Sequence, residues 1–191
     1  MLKPFFEVFP VLDLDDSLHG LLEFVQVARV TLNRERTFMR VYIESEKLIY
    51  KKDILTIEQA ITDQLFSDVV MTVKIIEKFH LSSQYTPRRL MSVYEDSILL
   101  ELKNYNALLY SLLKQSEREF SDEETLCLKI PDTVIADGKE EELLSILEKI
   151  FCERCGMNSH VSTRRVAPKE NEKRRLQEQE LAQEVQAISE H

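Results

Sequence analysis

The chain has 191 residues and a formal charge of −9, with 43% hydrophobic and 31% charged residues, which fits one soluble globular domain or two small ones with a charged tail. Only three glycines occur, and Gly20, Gly138 and Gly156 stand apart, so neither a GxGxxG turn nor a Walker loop can be built. The acidic balance argues against a general grip on nucleic acid, and three cysteines are too few for a disulfide framework, which points to a reducing cytosol.

The amino terminus, Met1-Leu2-Lys3-Pro4-Phe5-Phe6, lacks a long apolar run and soon meets Asp13, Asp15 and Asp16, unlike a signal peptide. No stretch approaches the roughly 18 apolar residues of a membrane span.

Ala28, Val30 and Leu32 alternate with Arg29 and Thr31, and Met39, Val41 and Ile43 alternate with Phe38, Arg40 and Tyr42. With Asn33-Arg34-Glu35-Arg36 as a polar turn, this predicts a β-hairpin with one buried face. Thr56 and Gln59 have capping-box spacing for a helix carrying Ile57, Ala60, Ile61 and Leu65. Met71, Val73 and Ile75 follow as a third strand. Thr86-Pro87 then opens a long helix with Leu90, Val93, Tyr94, Ile98, Leu102 and Tyr105 on one stripe. Asn106 can cap a second helix bearing Leu109, Leu112 and Leu113.

The first pattern then returns. Leu126, Leu128 and Ile130 alternate as a strand, Asp137 and Glu140 have capping-box spacing, and Leu143, Leu147, Ile150 and Phe151 form a helical core stripe. Val161 and Thr163 suggest a closing strand. The fold class is therefore α+β in two small modules. The first, residues 1–80, reads strand-strand-helix-strand. The second, 81–166, reads as a helical pair followed by strand-helix-strand. Residues 167–191 form a charged helical linker that breaks off in mid-pattern at His191, as a piece of a longer product would.

Cys152 and Cys155 are spaced Cys-x-x-Cys, with His160 nearby. Zinc takes a tetrahedral set of N and S ligands, and this cluster lacks a fourth. The plainer reading is a helix end with a half-buried Cys155 and Gly156 as its C′ residue. Glu140, Glu141 and Glu142 read as dipole-complementing charges in a first helical turn.

Arg29 to Lys52 holds seven basic residues against three acidic ones. Within it Arg29, Arg34, Arg36, Arg40 and Tyr42 are candidates for contact with nucleic acid or a partner, against the alternative of an ordinary solvated sheet face.

Several ordered stretches carry a family resemblance. They are Asn33-Arg34-Glu35-Arg36-Thr37-Phe38-Met39-Arg40-Val41-Tyr42, Val73-Lys74-Ile75-Ile76-Glu77-Lys78-Phe79 and Ser83-Gln84-Tyr85-Thr86-Pro87. Asp96-Ser97-Ile98-Leu99-Leu100-Glu101-Leu102 and Ile146-Leu147-Glu148-Lys149-Ile150-Phe151-Cys152-Glu153-Arg154-Cys155-Gly156 complete the set. Over about residues 5–166 the chain resembles the amino-terminal region of the PolC-type DNA polymerase III alpha chain.

The resemblance implies a truncated KH-like first module, related to the carboxy-terminal domain of the clamp-loader tau chain. It implies a cytoplasmic, non-catalytic part of a replicative DNA-directed DNA polymerase. Nucleotidyltransferase and 3′–5′ exonuclease activities and the divalent metal ions would belong to domains of the parent, with no cofactor in this segment. The implied partners are replisome proteins, the tau chain among them, with DNA reached through the parent and no membrane. The GxxG loop of full KH domains is missing. That favours protein docking over a second reading, a stand-alone KH-like nucleic-acid-binding module. A third is a cysteine- or zinc-dependent activity at Cys152, Cys155 and His160.

Overall fold

The computed structural model describes residues 2–168, and all but the first two residues of the charged linker expected over 167–191, with its Lys173-Arg174-Arg175 cluster, lies outside them. Within that range the architecture is α+β, with two sheets and six α-helices.

Strands β1 (Lys3–Pro4), β2 (Gln26–Leu32), β3 (Phe38–Ser45) and β4 (Thr72–Phe79) form the first sheet in that order. Short helices α1 (Phe5–Val8) and α2 (Asp16–Leu22) lie between β1 and β2 and bury Phe5, Leu18 and Leu22. β2 and β3 are the expected hairpin. Its turn is held by the Asn33 carboxamide, whose Oδ1 accepts the N–H groups of Thr37 and Phe38 at 2.8 and 2.9 Å, while Arg36 takes the left-handed conformation, φ 55°.

One face departs from the expected alternation. A bulge between Val27 and Arg29 shifts the register of β2, so Val27 rather than Ala28 pairs with core-facing Ile43. Val30 and Leu32 oppose buried Val41 and Met39, yet they stay 40% and 52% exposed, because β1 pairs only with the start of β2.

β3 runs parallel to β4 through α3 (Lys51–Leu65). The helix begins five residues before the expected Thr56 cap. Thr56 instead sits inside it and donates to the Lys52 carbonyl at 3.0 Å. The true start has no local side-chain cap; the Lys51 N–H is taken by Ser97 Oγ, 3.0 Å away on α4. Sequence-local capping rules do not reach a partner 46 residues distant.

Helices α4 (Pro87–Tyr105) and α5 (Ala107–Gln115) start at Thr86 and Asn106 as expected. Thr86 Oγ1 accepts the Arg89 N–H at 3.3 Å, and Asn106 Oδ1 that of Leu108 at 2.9 Å. Leu90, Tyr94, Ile98 and Leu102 are buried, but Val93 and Tyr105 of the expected stripe are exposed.

The second sheet holds β5 (Glu117–Phe120), β6 (Thr125–Pro131) and β7 (His160–Val166) in that order. β5 pairs antiparallel to β6, and β6 runs parallel to β7 through α6 (Val134–Glu148). The expected Asp137–Glu140 capping box is wrong. Thr133 is the cap, accepting the Ala136 N–H at 3.3 Å. Asp137 and Glu140 lie inside the helix and hold Arg165 of β7, at 3.2 and 2.5 Å, so Glu140–Glu142 are not a first turn. α6 continues into a π-turn, Lys149–Arg154, and Gly156 comes after it at φ 65°.

Both sheets thus contain the same strand-strand-helix-strand unit, antiparallel and then parallel. One hydrophobic cluster runs through both, from Phe5 to Val161. Phe79, closing β4, meets Tyr94 of α4 edge-on, with ring centroids 6.1 Å apart. Phe79→Ala is expected to cost about 3–5 kcal/mol and to leave a single unfolding transition in urea. A second module that stays folded after the first has melted would disprove the shared core.

Candidate functional site

The junction between the two sheets is polar where it would be expected to be oily. β4 alternates Val73, Ile75, Glu77 and Phe79 towards the core, so Glu77 is a carboxylate in an apolar position, its side chain only 2% exposed. Lys51 at the start of α3 answers it, Nζ to Oε1 2.7 Å. Lys51 also lies 3.7 Å from Glu101 on α4. The Arg154 guanidinium, from the π-turn, grips Glu101 with both terminal nitrogens at 2.7 Å. The bidentate fork is the strong form of this contact.

Burial alone would raise the Glu101 carboxyl, but the Arg154 hydrogen bonds and charge, helped by Lys51, hold it below its usual value. Arg154 is pushed further up: burial works against its charge, and Glu101 and Glu77 more than compensate. Tyr94 is raised by burial and by Glu77, and its hydroxyl has no hydrogen-bond partner among the described residues.

This network forms the inner end of a groove of about 980 Å³. The floor is the outer face of β2–β4, with Arg29, Phe38, Arg40, Tyr42, Lys74, Ile76 and Lys78. The wall comes from α4, α6 and the π-turn, with Tyr105, Glu142, Ile146, Lys149 and Glu153. Arg29 lies over the Tyr42 ring at 3.9 Å and Arg40 over Phe38 at 4.8 Å. Lys74 pairs with Glu58 of α3 at 2.8 Å, and the other oxygen of that carboxylate accepts the Ile75 N–H at 2.8 Å.

Of the residues singled out from sequence, Arg29, Arg40 and Tyr42 come together on this floor. Arg34 and Arg36 sit in the exposed hairpin turn and do not line the groove. Lys51, Glu77, Glu101 and Arg154 were missed; the available signal was Glu77 on the apolar side of a strand alternation.

The two helix-end cysteines occupy different environments. Cys155 is buried, and burial pushes its thiol up to about 12 despite nearby Arg154. Cys152 is exposed, 3.4 Å from the Ser159 carbonyl. His160 lies 3.9 Å from Glu148, Nδ1 to Oε1. Among the described residues no three His, Cys, Asp or Glu side chains are grouped to hold a metal ion.

Residues 4–75 match the family model described as DNA polymerase III polC-type N-terminus I. Over these residues the chain is similar to that PolC-type family. The match runs from β1 into β4 and so covers the hairpin floor of the groove. No curated protein and no solved structure matches the chain significantly. Within the described residues no helix is long and apolar enough to cross a membrane.

Two tests address the junction between the two sheets. A depressed folded value means that Glu101 contributes fully above the unfolded carboxyl value, near pH 4.3, and progressively less as pH falls through the folded one. Glu101→Gln should therefore be less stable at neutral pH and show a flatter stability profile below about pH 5. A profile parallel to that of the unmodified chain would remove Glu101 from acid unfolding. In thiol labelling, Cys152 should react in the native chain and Cys155 only in denaturant. Native labelling of both at equal rates would contradict the buried helix end.

Proposed function

We propose that this chain is the non-catalytic amino-terminal part of a replicative DNA-directed DNA polymerase and docks that enzyme to other replisome proteins, the clamp-loader tau chain among them. The observation that carries the reading is the PolC-type match over residues 4–75. Polymerisation and exonuclease chemistry, with their divalent metal ions, would belong to other parts of the parent, which would work in the cytoplasm.

The Arg–aromatic floor favours a second reading, a stand-alone nucleic-acid-binding module. The net charge of −9 and the groove-wall carboxylates Glu142 and Glu153 weigh against it. Calorimetric titration of the chain with purified tau chain and with oligo-dT at two salt concentrations separates the two. Docking predicts saturable binding to tau and little heat with oligo-dT. Tight, salt-sensitive binding to oligo-dT with none to tau would overturn it.

A further inference from the structure

The groove identifies the kind of segment it would receive. Among the described residues Arg29, Arg40 and Lys78 on its floor have no carboxylate partner. Beside Lys78 on the floor Ile76 is 41% exposed, and on the wall Tyr105 is 66% exposed and Ile146 half-buried. Arg29 and Arg40 thus lie on the hairpin and Lys78 on β4 beside Ile76, while the other apolar groups lie on the helical wall. An occupant with matching halves would carry an acidic stripe beside an apolar one.

Two observations narrow the choice. Strand addition at the β4 edge is obstructed, because the Ile75 N–H already donates to Glu58, with Lys74 closing over the same carboxylate. Stacking of bases is also poorly served. The guanidinium groups of Arg29 and Arg40 cover the faces of Tyr42 and Phe38, and Glu142 and Glu153 would oppose phosphates. The π-turn, a distortion common at functional sites, supplies part of the wall through Lys149, Ile150 and Glu153.

We propose that this groove binds an acidic amphipathic helix of a partner protein. Its carboxylates meet Arg29, Arg40 and Lys78, and its apolar stripe packs on Ile76, Tyr105 and Ile146. This rests on the docking reading and specifies the chemistry of the segment that docks.

The test is fluorescence anisotropy on the full chain. The probe is a labelled peptide of about 16 residues with Glu and Leu on adjacent helical stripes. A twin with Lys for Glu and an oligo-dT serve as competitors. The acidic peptide should bind, weaken as salt rises, and resist displacement by the Lys twin. Arg29→Glu with Arg40→Glu should weaken it at least about tenfold. Ile76→Ser should weaken it several-fold. Lys78→Glu, a single change of an exposed residue, repeats the charge test should the double variant fail to fold. No binding, equal affinity for the Lys twin, or unchanged affinity in folded variants would each overturn the proposal. So would oligo-dT displacing the peptide and losing affinity in the same variants. If tau binds the charge-reversed chain undiminished, the groove assignment falls while docking stands. If the acidic peptide binds here and tau does not bind at all, docking falls while the groove's chemistry stands.

Discussion

The charged network of Lys51, Glu77, Glu101 and Arg154 is the contact on which the arrangement of the two sheets depends. Its members come from separate elements: Lys51 from α3, Glu77 from β4, Glu101 from α4 and Arg154 from the π-turn. Lys51 and Glu77 are buried and Glu101 and Arg154 half-buried, and the desolvation this costs is returned by mutual attraction only with good geometry. The network is therefore weak evidence for net stability and stronger evidence for orientation. Hydrophobic side chains could join α4 to β4 in several registers. With Glu101 fixed by the two-pronged Arg154 fork at 2.7 Å, and Lys51 placed between it and Glu77 of β4, few remain. The same junction explains a local anomaly. Lys51 begins a helix where the dipole disfavours a cation. Glu77 holds the charge, and Ser97 supplies the missing cap. The start of α3 is thus completed by a side chain of α4.

The repeated strand-strand-helix-strand unit shows what that junction adds. In the first copy α3 stops at Leu65 and Phe66 closes it. In the second, the corresponding helix end runs on through a π-turn. One extra residue in a turn shifts the phase of those after it by about 100°. With that shift Arg154 reaches Glu101, while Cys155 is buried beside the end of β4, where Gly156 passes the Phe79 carbonyl. A shared packing solution accounts for the two units, and the π-turn distinguishes the copy that must also bind its neighbour.

The elements were legible in the sequence wherever the deciding contacts are local or periodic. The hairpin, α4, α5, β6 and β7 follow from alternation and from caps such as Thr86 and Asn106. The helix starts at Lys51 and Val134 were misplaced, because Thr56 and Asp137 carry cap-like spacing but other groups cap those helices. β5 escaped because Glu117-Arg118-Glu119-Phe120 has no apolar alternation; it is a strand through its pairing with β6. The floor of the groove was half visible in the basic hairpin. The wall was not, since no local pattern brings Ile146 and Tyr105 opposite Ile76. The charge on Glu77 was the one local sign that something polar crosses the core.

An acidic chain whose groove floor carries cations without carboxylate partners settles a question of range. At physiological salt the screening length is about 8 Å, so the overall charge of −9 does not decide what enters the groove. Arg29, Arg40 and Lys78 act on a ligand that is already near. The global charge acts earlier and differently: it discourages long contact with a polyanion, whose many phosphates would meet Glu142, Glu153 and the rest of the acidic surface along with the cations. A short acidic stripe places its charges over the cations alone. Local attraction and global repulsion together select for a compact acidic ligand over an extended one.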